Sequence, residues 1–126
     1  SSNDSDLDYA LVRVDKKVVD REPLKLHARK AIRDSDSLFV IGHPFGLPKI
    51  MADEVLVRDN SQKNTFIVNA DTFSGSSGSP VINSRTNLVE GILIKGGRDF
   101  SMDMEAGCNR AFHCSNDGCF GETVQR

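Results

Sequence analysis

The sequence predicts an all-β domain, a barrel or a sandwich. Short runs rich in β-branched and aromatic residues recur along the chain, and clusters of Gly, Pro, Asn and Asp separate them. The length of 126 residues is that of one average domain. Tyr9-Ala10-Leu11-Val12-Arg13-Val14 is the first strand-like run. Residues 15–37 are charged, with Lys16-Lys17, Arg21-Glu22-Pro23 and Arg29-Lys30, and read as a linker crossing the surface. Within them Leu24, Ala28, Ala31 and Ile32 recur at three- and four-residue spacing, which leaves a short helix as the lesser alternative. Leu38-Phe39-Val40-Ile41 is the next strand, ending at Gly42 and the turn-rich His43-Pro44-Phe45-Gly46-Leu47-Pro48. Further strands are predicted over 50–57, 65–69, 80–82 and 88–94. Asp59-Asn60-Ser61 and Asn83-Ser84-Arg85-Thr86-Asn87 supply turn chemistry between them. Asn116-Asp117-Gly118 is a tight-turn signal before a last strand beginning at Thr123-Val124-Gln125.

Composition narrows the partners. Hydrophobic residues make up 38% and charged residues 27% of the chain, the balance of a soluble globular protein. A net charge of -2 gives no basic surface for nucleic acid. No apolar run approaches the roughly 20 residues that a membrane-spanning helix requires. No membrane or nucleic-acid partner is expected.

The most informative segment is Asp71-Thr72-Phe73-Ser74-Gly75-Ser76-Ser77-Gly78-Ser79-Pro80-Val81. Glycines flank the serines at both ends, and Pro-Val opens a strand. Acyl transfer needs a serine hydroxyl on a sharply turned backbone, with N–H groups free to face the developing oxyanion. Gly75 can adopt a backbone conformation that residues with side chains avoid, so its N–H and that of Ser77 are the candidate oxyanion donors. The continuation into Ser79-Pro80-Val81-Ile82-Asn83 and Val89-Glu90-Gly91-Ile92-Leu93-Ile94 resembles the chymotrypsin-like (trypsin-like) serine peptidases. Ser79 makes the turn most similar to the bacterial glutamyl endopeptidases and their trypsin-like relatives. Phe39-Val40-Ile41-Gly42-His43-Pro44-Phe45-Gly46-Leu47 is similar to the segment that opens the second barrel of Deg-type proteases. An α/β-hydrolase elbow is a poor match, because it requires Gly two residues after the nucleophile, where Ser79 stands.

The resemblance implies a chymotrypsin-like six-stranded second β-barrel over residues 38–126, with 15–37 as the inter-barrel linker. Residues 1–14 would then be the last strand of an N-terminal barrel. It also implies the chain order His, Asp, Ser for the catalytic groups. Asp8-Tyr9-Ala10-Leu11-Val12-Arg13-Val14 matches the form in which the family's aspartate precedes an apolar strand; Asp6 fits that frame less well. Asp4 and Asp6 read as a solvated acidic terminus. No histidine precedes Asp8, and His27, His43 and His113 all follow it. None is assigned as the base. The expectation is a serine endopeptidase fragment that is inactive alone, requires no cofactor, and has as partners a peptide or protein substrate and a missing N-terminal barrel. The strand over 93–97 is expected to bind substrate by strand addition. A non-catalytic binding relative and a metal-stabilised interaction domain are the alternatives.

Cys108, His113, Cys114 and Cys119 are four possible metal ligands, but their spacing is looser than that of structural zinc sites. A disulfide-stapled loop of a secreted or periplasmic enzyme is the preferred reading. Asp99, Asp103 and Glu105 lack the loop pattern of a calcium site and read as a solvated loop. For specificity, Asp71 lies six residues before Ser77, where trypsin-like members carry the carboxylate of the primary pocket. Gly96 and Gly121 fall where the family keeps pocket walls open. Cleavage after Arg or Lys follows from this resemblance. Thr72 also fits the glutamyl endopeptidases, but Leu93 stands where those enzymes place a substrate-binding His.

Overall fold

The computed structural model describes residues 7–28, 32–116 and 118–126. Six strands close an antiparallel barrel in the order β1-β2-β3-β8-β5-β4, and β6 and β7 form a separate two-stranded sheet. The strands are β1 (Ser37–Gly42), β2 (Ile50–Asp59), β3 (Thr65–Val68), β4 (Pro80–Asn83), β5 (Val89–Lys95), β6 (Phe100–Asp103), β7 (Cys108–Ala111) and β8 (Glu122–Gln125). Closure gives every barrel strand two neighbours, although β5 beyond Leu93 keeps one side without a ladder partner among the described residues. The expected six-stranded barrel is therefore present, built from the runs that the sequence marks.

Alternation explains the core. Leu38, Val40, Val55, Phe66, Val68, Val81, Leu93 and Val124 all point inward and are at most 2% exposed. Each comes from a strand whose successive side chains turn to opposite faces. β2 bends where Leu38 pairs Val55 and Val40 pairs Ala52, a register shift that sets Asp53 and Glu54 against the single Phe39. Glu54 has φ 53° there, the signature of a bulge that lets a ten-residue strand wrap the barrel. The Asn83–Asn87 turn forms as expected, with Asn83 Oδ1 accepting the N–H groups of Arg85 and Thr86 at 3.1 and 3.2 Å.

One expectation changes, one lesser alternative falls, and one strand-like run stands without a ladder. Residues 9–14, read as a strand, join no ladder among the described residues, and Leu11 and Val12 are 93% and 81% exposed. Their alternation is that of a strand without a partner sheet. The residues of 24–28 form no helix; Leu26 instead makes a parallel bridge to Val89, and His27 Nδ1 lies 2.6 Å from the buried Glu90 carboxylate. This pair fastens the segment around His27 to β5. Asp99 to Glu105, read as a solvated loop, includes β6 of a hairpin whose turn ends at Gly107. The proposed acidic terminus at Asp4 and Asp6, together with Arg29, Lys30, Ala31 and Asp117, lies outside the described residues.

β5 and β8 approach so closely that a Cβ at Gly91 would sit against the Gln125 carbonyl and 2.7 Å from Val124 Cγ1. Gly91→Ala is therefore expected to lower stability by about 1–3 kcal/mol through overpacking. Gly97→Ala, with no heavy atom within 4 Å of the added Cβ, is expected to change it by less than about 0.5 kcal/mol. Equal urea midpoints for the two variants would contradict this reading of the β5–β8 contact.

Candidate active site

The loop between β3 and β4 is held at several points. Phe45 N–H donates to Ser74 O at 2.9 Å, and Gly78 N–H donates to Leu93 O at 2.7 Å. Leu93 N–H returns a bond to Ser79 O at 2.9 Å, so the loop is stitched to β5 by a reciprocal pair. Asp99 Oδ2 accepts from Ser74 N–H at 3.0 Å and from Ser74 Oγ at 2.5 Å. Within the loop, Ser76 N–H donates to Phe73 O and Ser79 N–H to Ser76 O, both at 3.0 Å. Rings of Phe45, Phe73 and Phe100 pack with centroids 5.5–6.4 Å apart, tying the 3-10 turn Pro44–Gly46, the loop and β6 together.

These bonds account for the N–H groups of Ser74, Ser76, Gly78 and Ser79. Among the described residues the N–H groups of Gly75 and Ser77 have no acceptor. Gly75 has φ +93°, and a Cβ there would lie 2.9 Å from Phe45 N. Both backbone conformation and space thus require glycine, as expected from the sequence. The exposed Ser77 borders two depressions. The larger, about 400 Å³, also has Asp8, Tyr9 and Ala10 on its wall. Asp8 is exposed, and its N–H donates at 3.1 Å to the side-chain oxygen of Gln125, a fully buried residue of β8. The smaller, about 90 Å³, is lined by Thr72, Leu93, Gly96, Gly97, Asp99 and Glu122 among others.

The specificity candidates separate. Thr72 and Gly96 line the small pocket beside Ser77. Asp71 is exposed and lines two neighbouring depressions instead, and Gly121 lines one of these. Gly121 has φ +71°, and a Cβ there would lie 2.7 Å from Val68 O, so backbone geometry explains that glycine. Sequence reading missed Glu122. It opens β8 in phase with the buried Val124, so strand alternation was the signal that turns its side chain inward. None of His27, His43 and His113 lines either depression that Ser77 borders. The zinc reading is overturned: Cys114 and Cys119 are joined in a disulfide, and Cys108 stands exposed and free. Among the described residues no group of three His, Cys, Asp or Glu side chains could hold a metal ion.

A family model, the trypsin-like peptidase domain, matches residues 2–92. The chain belongs to the trypsin-like peptidase family. The matched segment includes Asp8 and the whole loop bearing Ser77, and it ends inside β5, before Gly96 and Glu122. Comparison with curated proteins and with solved structures finds no significant match. Trypsin-like peptidases are hydrolases, and a serine on a turn with two free amides is the arrangement that acyl transfer requires.

Glu122 is 7% exposed, and burial pushes its carboxyl up to about 6. The long 3.4 Å bond from Gly97 N–H and one from Thr72 offset part of that rise. An unfolded carboxyl releases its proton near 4.5, so between that pH and about 6 the folded state binds more protons than the unfolded state. Stability therefore falls as pH rises through this window. Glu122→Gln removes the ionisation, so the variant should gain on the wild type as pH rises from 4.5 to 7. The gain should be on the order of 1 kcal/mol. Thermal unfolding of both proteins across that range checks it; a difference independent of pH would contradict it.

Proposed function

We propose that this chain is the nucleophile-bearing part of a serine endopeptidase that hydrolyses peptide bonds through an acyl-enzyme. The observation that carries the reading is the loop in which every N–H from Ser74 to Ser79 is engaged except those of Gly75 and Ser77. In the proposed cycle Ser77 Oγ attacks the scissile carbonyl and gives its proton to a histidine. The carbonyl oxygen becomes an oxyanion held by the amides of Gly75 and Ser77. Collapse expels the amine, which takes the proton from the imidazolium, and water then repeats the sequence on the acyl-enzyme. Asp8, on the same depression as Ser77, orients the histidine and stabilises its charged form.

The base comes, in this reading, from polypeptide outside these 126 residues. Its support is that none of the three histidines lines a depression bordered by Ser77, together with Leu11, Val12, Val14, Val19 and Leu26, all at least 65% exposed. That many exposed apolar side chains suit burial against the N-terminal barrel, the proposed partner. Beyond Leu93 the side of β5 facing away from β8 has no ladder partner among the described residues, which suits strand addition by an extended peptide. Ser79 supports placement beside the bacterial glutamyl endopeptidases and their trypsin-like relatives. The Cys114–Cys119 disulfide suits a secreted or periplasmic enzyme.

Two measurements on the protein expressed from its complete gene test this. A fluorophosphonate probe is expected to label it, and Ser77→Ala to abolish the label; label surviving that change, or residing on Ser74 or Ser76, would overturn the assignment. Asp8→Asn is expected to lower turnover about ten-thousandfold near neutral pH by holding the histidine in the wrong tautomer. A loss no greater than that of Asp6→Asn would remove Asp8 from the mechanism.

A further inference from the structure

The peptide unit between Ser74 and Gly75 carries one of the two free amides, and its own sterics do not fix which way it faces. A trans peptide is planar, so its carbonyl and its N–H point in opposite directions. Turning the unit over changes ψ of Ser74 and φ of Gly75, and glycine accepts either sign of φ. The approach of Phe45 N that excludes a side chain from Gly75 therefore selects the residue least able to resist that turn. In the turned state a carbonyl oxygen would face the place where the oxyanion develops and would repel it.

What holds the unit comes from outside the loop. Ser74 O accepts from Phe45 N–H at 2.9 Å, which directs the Gly75 N–H the other way. Asp99 Oδ2 accepts from Ser74 N–H at 3.0 Å and from Ser74 Oγ at 2.5 Å. One carboxylate oxygen thus fixes both the Ser74 side chain and the backbone entering it. None of the ion pairs among the described residues diverts that carboxylate. Asp99 is itself held, because its carbonyl accepts Phe112 N–H at 2.8 Å across the base of the β6–β7 hairpin. Its neighbour Arg98 donates from Nε to Phe100 O at 2.8 Å and lies over the Phe112 ring. Phe100 packs on Phe45 and Phe73, with ring centroids 5.5 and 5.8 Å away. Two consecutive hairpin residues therefore grip the Ser74–Gly75 peptide from both flanks.

We propose that Asp99 is a positioning residue for acyl transfer, clamping Ser74 so that the Gly75 amide stays turned toward the developing oxyanion. The inference deepens the peptidase reading and rests on it for the oxyanion; the clamp on the peptide does not. Its effect passes through Ser74 and not through the reacting atoms. Loss of the clamp removes one donor from the transition state and leaves the Ser77 hydroxyl in place.

Amide hydrogen exchange, measured by NMR on the 126-residue chain and corrected for intrinsic rates, tests the clamp without requiring catalysis. In the wild type the Phe45 amide should exchange at least about tenfold more slowly than that of Gly75. Asp99→Ala should speed Phe45 exchange at least about tenfold. The Gly78 and Leu93 amides, bonded between the loop and β5, should change less than about threefold. Asp99→Asn keeps an acceptor oxygen and should leave Phe45 within about threefold of the wild type. Wild-type Phe45 exchanging as fast as Gly75, a result that needs no variant to fold, would overturn the proposal. So would an Asp99→Ala that accelerates all these amides equally, which marks general loosening, or accelerates none. In the protein from the complete gene, Asp99→Ala should lower kcat about a hundredfold, the worth of one oxyanion donor, with KM within about threefold. An unchanged kcat, or a loss carried by KM alone, beside a Ser77 that still takes a fluorophosphonate, would overturn the proposal and leave Ser77 as the nucleophile. If the exchange results hold while wild-type Ser77 fails to take a fluorophosphonate, the peptidase reading fails and the clamp stands.

Discussion

The reciprocal pair of hydrogen bonds between the serine loop and Leu93 is the constraint on which the site depends. Leu93 lies in the barrel wall, paired with Val124 of β8, and both residues are essentially buried. By accepting from Gly78 and donating to Ser79, its backbone sets the height and tilt of the turn that carries Ser77. Leu93 also lines the small pocket, so one strand positions Ser77 and forms a wall beside it. A loop held only by its own turns would carry free amides in any direction. Held against a closed barrel, it leaves two of them without an acceptor among the described residues. Such preorganised donors cost no rearrangement when charge develops.

The opposite side of the loop is held by softer means. The Phe45, Phe73 and Phe100 rings form a partly exposed cluster, and Phe45 itself has φ 52° in its 3-10 turn. That turn brings Phe45 N–H onto Ser74 O and leaves no room for a side chain on Gly75. The hairpin of β6 and β7 lies outside the barrel, yet the segment entering it carries Asp99, whose carboxylate fixes Ser74. Rigidity near the serine thus has two sources, barrel backbone on one side and side-chain contacts on the other.

Barrel strands were legible because inward and outward residues alternate, and Leu38, Val40, Phe66 and Val124 are where that alternation puts them. Ser77 drew attention as a candidate because Gly75 and Gly78 bracket its turn and Pro80-Val81 follows it. The β6–β7 hairpin was not, since Cys108–Ala111 is exposed throughout and carries no alternating signal. Residues 9–14 carry the same pattern, but pairing needs a second strand, and no described strand takes that role. Asp71 drew attention by its separation from Ser77, whereas the pocket beside Ser77 holds Glu122, which is far away in sequence. Barrel closure between β3 and β8 brings β8 to the loop, and no local pattern announces it.

The central claim is that Gly75 and Ser77 form one anion site around the Ser77 hydroxyl. A crystal structure of the protein from the complete gene, covalently trapped with a peptide boronic acid, measures it most directly. The account predicts a bond from boron to Ser77 Oγ, with one boronate oxygen about 2.7–3.1 Å from both the Gly75 and Ser77 nitrogens. A boronate oxygen turned to solvent, with either amide bonded elsewhere, would contradict it.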